Sequence, residues 1–154
     1  MELDLRERAF KVLEIAKSNL QQDGVLDPVA FLVTAEEVYL VEVPPFSNDA
    51  EKQVAYAWVI AQARKHNAMA MITLNDAYVG EGGDDDDYYE GKLAAENAPE
   101  CIILTLAGPS IPTWTLMVRY RRSADGITFG ETEEYSGSKA PMLQGWASES
   151  LRPS

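Results

Sequence analysis

Cysteine and histidine are almost absent from the 154-residue sequence, which contains only Cys101 and His66. A single thiol forms no intramolecular disulfide, and these two residues cannot supply the ligands of a structural zinc or iron–sulfur site. A domain of this size needs neither, since it buries about 68–70% of its unfolded surface on folding. We therefore expect a reducing compartment, the cytoplasm, and no such cofactor.

Basic residues are also scarce, with 13 Lys and Arg against 25 Asp and Glu, a formal net charge of −12. Such a field repels phosphates, which nucleic-acid-binding proteins neutralise with cations, and it disfavours anionic membranes too. The only local cationic cluster, Arg119, Arg121 and Arg122, lies in a strand pattern that faces glutamates in the next strand. We expect no binding to nucleic acid or membranes.

The chain lacks long apolar runs and the common catalytic motifs. Its first residues, MELDLRERAFKVLEIAK, are charged and periodic, so they predict neither a signal peptide nor a spanning helix. There is no GxSxG, GxxxxGK or HExxH, and no GxGxxG after a strand. The SGSK at 136–139 matches a Ser-x-x-Lys pattern but lies in a Gly/Ser-rich tail. The usual sequence evidence for an enzyme is therefore missing.

Two helices are predicted. In the first, Asp4 and Glu7 have capping-box spacing and Gly24 is placed to end the helix. Its apolar stripe comprises Leu5, Ala9, Val12, Leu13, Ala16 and Leu20. The second begins at Asn48, which has capping-box spacing to Glu51. Its predicted sheet-facing residues are Ala50, Val54, Ala57, Trp58 and Ala61.

The remaining periodic segments predict β-strands. VAFLVTAEEVYLVEV indicates a hairpin that turns near 35–37, and the first part of 68–78 indicates a buried strand. CIILTLA, 101–107, is apolar on both faces, and TWTLMVRYRR alternates. A four-residue loop at 123–126 places Tyr120 opposite Phe129 in the final hairpin.

The order α-β-β-α-β-β-β-β predicts one α+β domain over 1–135, with an antiparallel sheet of five to six strands and both helices on one face. A long acidic loop at 79–92 interrupts it, and 136–154 forms a Ser/Gly/Pro-rich tail that is partly packed. The order of elements, rather than any motif, resembles that of profilin-like adaptors, including roadblock-type domains.

The acidic loop, GEGGDDDDYYEGK at 80–92, offers oxygen ligands for a hard cation such as Ca²⁺ or Mg²⁺. The candidate metal ligands are Asp84, Asp86, Asp87 and Glu90. Their spacing does not match a calcium-binding EF-hand loop, and adjacent like charges favour a solvated loop instead. Tyr88 and Tyr89 are candidate anchors for a protein partner, or they pack back onto the domain.

Three further side chains have chemistry of interest. Asp76 at a strand end either joins a carboxylate cluster or makes a turn. His66 falls at the end of the second helix, where a cation suits the helix dipole, although a lone histidine can act as a general base. Cys101 begins an apolar strand and is expected to be buried rather than nucleophilic.

Three hypotheses for function follow. The favoured one is a non-catalytic protein-binding or assembly module, a homo-oligomer that associates through a sheet edge or a helical face and presents the acidic loop. The first alternative is a metal-dependent hydrolase that uses the carboxylates of Asp76, the aspartate run and Glu90. The second is an acidic DNA mimic that inhibits a nucleic-acid-binding protein.

Overall fold

The computed structural model describes residues 2–78, 100–137, 140–143 and 145–147. Within them lie α1 Glu2–Asp23, β1 Val29–Val33, β2 Val38–Glu42, α2 Asp49–Lys65, β3 Ala70–Tyr78, β4 Glu100–Gly108, β5 Ile111–Ser123, β6 Gly126–Ser136 and a 3₁₀ turn, Pro141–Leu143. The strands form one antiparallel sheet in the order β2-β1-β3-β4-β5-β6. The predicted α+β class and element order are confirmed. Neither described helix has the length and apolar character needed to cross a bilayer.

The ends of the helices follow local chemistry with one exception. Gly24 ends α1 as predicted: it adopts φ 77°, and its N–H donates to the Leu20 carbonyl at 2.8 Å. Asn48 caps α2, where its side chain accepts from the Glu51 N–H at 2.8 Å. The predicted start of α1 is wrong, because the helix already begins at Glu2 and Asp4 lies inside its first turn.

The face that α2 buries also differs from the prediction. The five residues that were expected to face the sheet are all exposed: Ala50, Val54, Ala57, Trp58 and Ala61. The buried residues are instead Ala55, Tyr56, Val59, Ile60 and Ala63. Apolar residues occur on both sides of this helix, so periodicity alone offered two faces. The sheet covers the face that carries three large side chains, Tyr56, Val59 and Ile60, rather than the face with two, Val54 and Trp58.

The two helices lie on opposite faces of the sheet, so the expectation that both share one face is wrong. One cluster joins α1 to Ile72, Leu74 and alternate residues of β4 and β5. The other joins α2 to Leu32, Met71 and Ala107. Since alternate strand residues point to opposite faces, central strands that are apolar on both sides require cover on both.

The last two strands pair in the predicted register. Tyr120 lies opposite Phe129 and Arg121 opposite Thr128. Arg119 on β5 pairs with Glu133 on β6 at 3.4 Å, as expected of a cationic cluster facing glutamates. The register shifts between Val118 and Tyr120, which marks a bulge or irregularity in this pair.

The segment after β6 returns to the α2 side of the sheet. Leu143 is fully buried and Trp146 nearly so, and both belong to the α2 cluster. The Arg64 guanidinium on α2 donates to the Gly145 carbonyl at 2.9 Å. Part of the Ser/Gly/Pro-rich tail is therefore fastened to α2.

Candidate functional site

Four polar side chains meet at one end of the sheet on its α1 face. Asp76 is near the end of β3, Glu100 begins β4, and Tyr120 and Arg122 lie near the end of β5. The Tyr120 hydroxyl is 3.4 Å from Asp76 Oδ2 and 3.3 Å from Glu100 Oε1. Arg122 donates to Glu100 Oε2 at 2.7 Å and to the Gly24 carbonyl at 2.8 Å. The cluster thus ties the end of α1 to three strands.

The single proton of a phenol cannot serve both carboxylates of this cluster at once. Burial raises the pKa of Asp76, and the charge of Glu100 raises it further. Burial also raises the pKa of Tyr120, as do both carboxylates, so the phenol keeps its proton. The Glu100 hydrogen bond raises the pKa of Arg122, which stays cationic. Of these three groups, Asp76 is the one whose raised pKa favours uptake of a proton.

Asp76 was singled out from the sequence, but its partners come from distant parts of the chain. Arg122 was noted only as a member of a cationic cluster. Among the described residues, no group of three or more His, Cys, Asp or Glu side chains is arranged to hold a metal ion. The cluster joins two carboxyl groups, a phenol and a guanidinium. In this arrangement the Asp76 carboxyl group can bind and release a proton.

The predicted loop site lies outside the described residues. It comprises the candidate ligands Asp84, Asp86, Asp87 and Glu90 and the candidate anchors Tyr88 and Tyr89. The described residues that flank this segment, Tyr78 and Glu100, are register partners in β3 and β4. β3 therefore ends and β4 begins next to the polar cluster.

Cys101 and His66 occupy structural positions. Cys101 is buried on β4, and burial raises the pKa of its thiol to about 11. The thiolate, which is the reactive form, is thus suppressed at neutral pH. His66 is the C-cap residue of α2, and its ring stacks on Tyr39 at a centroid distance of 4.3 Å. It joins the end of α2 to β2.

The outer face of α2 is an apolar surface that sequence reasoning assigned to the interior. Val54 is 72% exposed and Trp58 is 44% exposed, and Ala50, Ala57 and Ala61 complete the stripe. The signal that identifies it is the presence of apolar residues on both sides of the helix. We call these five residues the α2 outer face.

A second exposed apolar surface lies at the β2 edge of the sheet. Leu40 is 62% exposed and Val38 is 43% exposed. Their partners on β1 are Phe31 and Val33, which belong to the α1-side packing. Two apolar runs around a polar turn predict the hairpin, but nothing in the local pattern shows that β2 is an edge strand.

No known protein family, curated protein or solved structure matches the chain.

Proposed function

We propose that the protein is a non-catalytic protein-binding or assembly module of the cytoplasm. The α2 outer face carries this proposal, because it presents a half-exposed tryptophan and a more exposed valine among alanines. Tryptophan is enriched among residues that contribute most to binding energy. Small side chains around it let a partner approach the helix backbone closely.

The charged residues at the two ends of α2 favour one orientation of a bound helix. Asp49 and Glu51 lie in the first turn, and Arg64 and Lys65 lie in the last. A partner helix that runs antiparallel with the same polarity of charge would bring opposite charges together at both ends. The surface therefore suits an amphipathic helix with its own apolar stripe.

Site-specific photo-crosslinking in cells that produce the protein tests this proposal. A photoreactive amino acid replaces Val54 or Trp58, with Ile15 on α1 as a control, since Ile15 is 59% exposed. We expect one protein to be captured from positions 54 and 58 but not from 15.

The captured protein is then purified and its Kd is measured against the wild type, Val54→Lys and Ile15→Lys. Burying a lysine in the interface should raise Kd at least about tenfold for Val54→Lys only. Equal capture from all three positions, or equal Kd values, would contradict the proposal.

A further inference from the structure

The backbone of β2 has one side without a partner among the described strands, since only β1 pairs with it. At the hairpin ends, the Thr34 N–H donates to the Glu37 carbonyl at 2.8 Å, and the Val43 N–H donates to the Pro28 carbonyl at 3.3 Å. Hydrogen-bonded pairs alternate along an antiparallel ladder. The N–H and C=O groups of Val38, Leu40 and Glu42 therefore point away from β1.

This edge has little of the protection that exposed strands usually carry, since Glu42 is the one charged residue of β2. The five residues of β2 include no lysine or proline, and its register with β1 is unbroken. Val38 and Leu40 place exposed apolar side chains beside the outward backbone groups. Protected edges instead carry charges, prolines or bulges. The edge is thus a template for another strand.

The strand that fits this template best is β2 itself. A two-fold axis at Leu40 sets Leu40 beside its symmetry mate, Val38 opposite Glu42, and Tyr39 opposite Val41. All three outward residues then exchange backbone hydrogen bonds, and no glutamate of β2 faces another. An axis at Glu42 would oppose two carboxylates, which is unfavourable. An axis at Val38 would place turn residues, rather than residues of β2, opposite Leu40 and Glu42.

We propose that the protein forms a two-fold dimer by antiparallel pairing of β2 with β2 of a second copy, centred on Leu40. This inference rests on the proposed function, for which it names one partner and a surface separate from the α2 outer face. The pairing joins the two sheets into one and merges the Val38 and Leu40 side chains of both copies into one apolar patch. Because each chain carries a net charge of −12, salt should strengthen association.

Sedimentation velocity over a range of concentrations tests the dimer. Leu40→Lys is compared with Val25→Lys, because both native residues are 62% exposed. Leu40→Pro removes an outward N–H while leaving the ladder to β1 intact. We expect a wild-type dimer, a Kd raised at least tenfold in both Leu40 variants, and no change in Val25→Lys. Circular dichroism checks that each variant is folded.

Oxidative cross-linking tests the register. In the proposed pairing the two Leu40 Cα atoms lie about 5.5 Å apart, within the range that a disulfide spans. Leu40→Cys should therefore form a covalent dimer on mild oxidation, whereas Val25→Cys should not. The native Cys101 is buried and does not compete.

The outcomes separate this inference from the proposed function. A wild-type monomer at all concentrations would overturn the dimer, and the α2 outer face would still be tested by its own cross-links. A dimer that survives the Leu40 variants but is lost in Val54→Lys would also overturn it, while supporting self-assembly through α2. Loss of the dimer in both Leu40 variants, with a disulfide from Leu40→Cys, supports it.

Discussion

The two edges of the sheet expose opposite chemistry. β2 is five residues long and presents Val38 and Leu40 to solvent. β6 is eleven residues long, and its last seven residues read GETEEYS, with Glu131 and Glu134 exposed. The β6 edge is longer and would offer more hydrogen bonds to an added strand. Its three acidic residues, Glu131, Glu133 and Glu134, give it more protection than the single Glu42 gives β2.

The backbone of β6 shows how its charges act. The Gly137 N–H donates to the Thr113 carbonyl at 2.8 Å, so alternation directs the backbone of Glu134 away from β5. Two copies paired about Glu134 would therefore oppose two carboxylates, where pairing about Leu40 on β2 opposes two leucines. Like charge therefore disfavours self-pairing of β6 about Glu134, and no such charge opposes self-pairing of β2 about Leu40.

Removing this protection from β6 should change the assembly of the protein most. Thr132→Val with Glu134→Leu makes β6 an apolar edge, so each molecule would have two edges able to pair. Two such surfaces on opposite sides of one chain produce open-ended assemblies rather than closed dimers. Sedimentation velocity should show a mass that keeps growing with concentration. Glu14→Leu on α1 is the control, and a double variant that stays the size of the wild type would contradict this interpretation of β6.

A smaller effect is expected from the tyrosine side chains of the two edge strands, which should contribute unequally to the free energy of unfolding. Tyr39 on β2 stacks on His66 at the end of α2, whereas Tyr135 on β6 is 43% exposed and its hydroxyl donates to Glu133 of the same strand at 2.8 Å. We expect Tyr39→Ala to lower the free energy of unfolding by about 1–2 kcal/mol and Tyr135→Ala by less than about 0.5 kcal/mol. Urea denaturation measures both. Equal losses would show that the stack does not hold β2 to α2.

The polar cluster of Asp76, Glu100, Tyr120 and Arg122 predicts that the free energy of unfolding depends on pH. Because the pKa of Asp76 is raised by burial and by Glu100, its protonation favours the folded chain. The contribution of protonated Asp76 to the free energy of unfolding is fully present below the ordinary carboxyl pKa. It is lost as the pH rises through the pKa that Asp76 has in the folded chain.

Asp76→Asn should therefore be more stable than the wild type at pH 8, by on the order of 1 kcal/mol. The difference should shrink as the wild type takes up its proton in acid. Urea denaturation from pH 4 to 8 measures this, with the exposed Asp27→Asn as control. A constant difference across this range would mean that Asp76 does not titrate as described.

The smallest expected effect concerns the acidic segment between β3 and β4. We expect calorimetric titration of Ca²⁺ or Mg²⁺ into metal-stripped protein to give no saturable heat, since adjacent aspartates favour a solvated loop. Replacement of Asp84 to Asp87 by serine should change nothing in this titration. Stoichiometric micromolar binding that the serine variant loses would instead support the metal-dependent hydrolase.

Local chemistry explains which structural predictions are confirmed. The Asn48 cap, the Gly24 end and the register of Tyr120 with Phe129 each depend on a few neighbouring residues. Two of the wrong predictions, the buried face of α2 and the side on which it packs, depend on the sheet; the third, the start of α1, is a local error of a few residues. In the polar cluster, Asp76 was recognisable at its strand end, but no local pattern joins it to Glu100 and Tyr120.

The order of amino acids alone specified the helices and strands, the alternation of the central strands and the strong negative charge. It did so because caps, turns and periodicity act over a few residues. Only the tertiary structure decided that β2 and β6 lie at the edges and that Trp58 faces outward. Hydrophobic burial has no preferred direction, so an apolar residue becomes core or surface according to which distant strand or helix covers it.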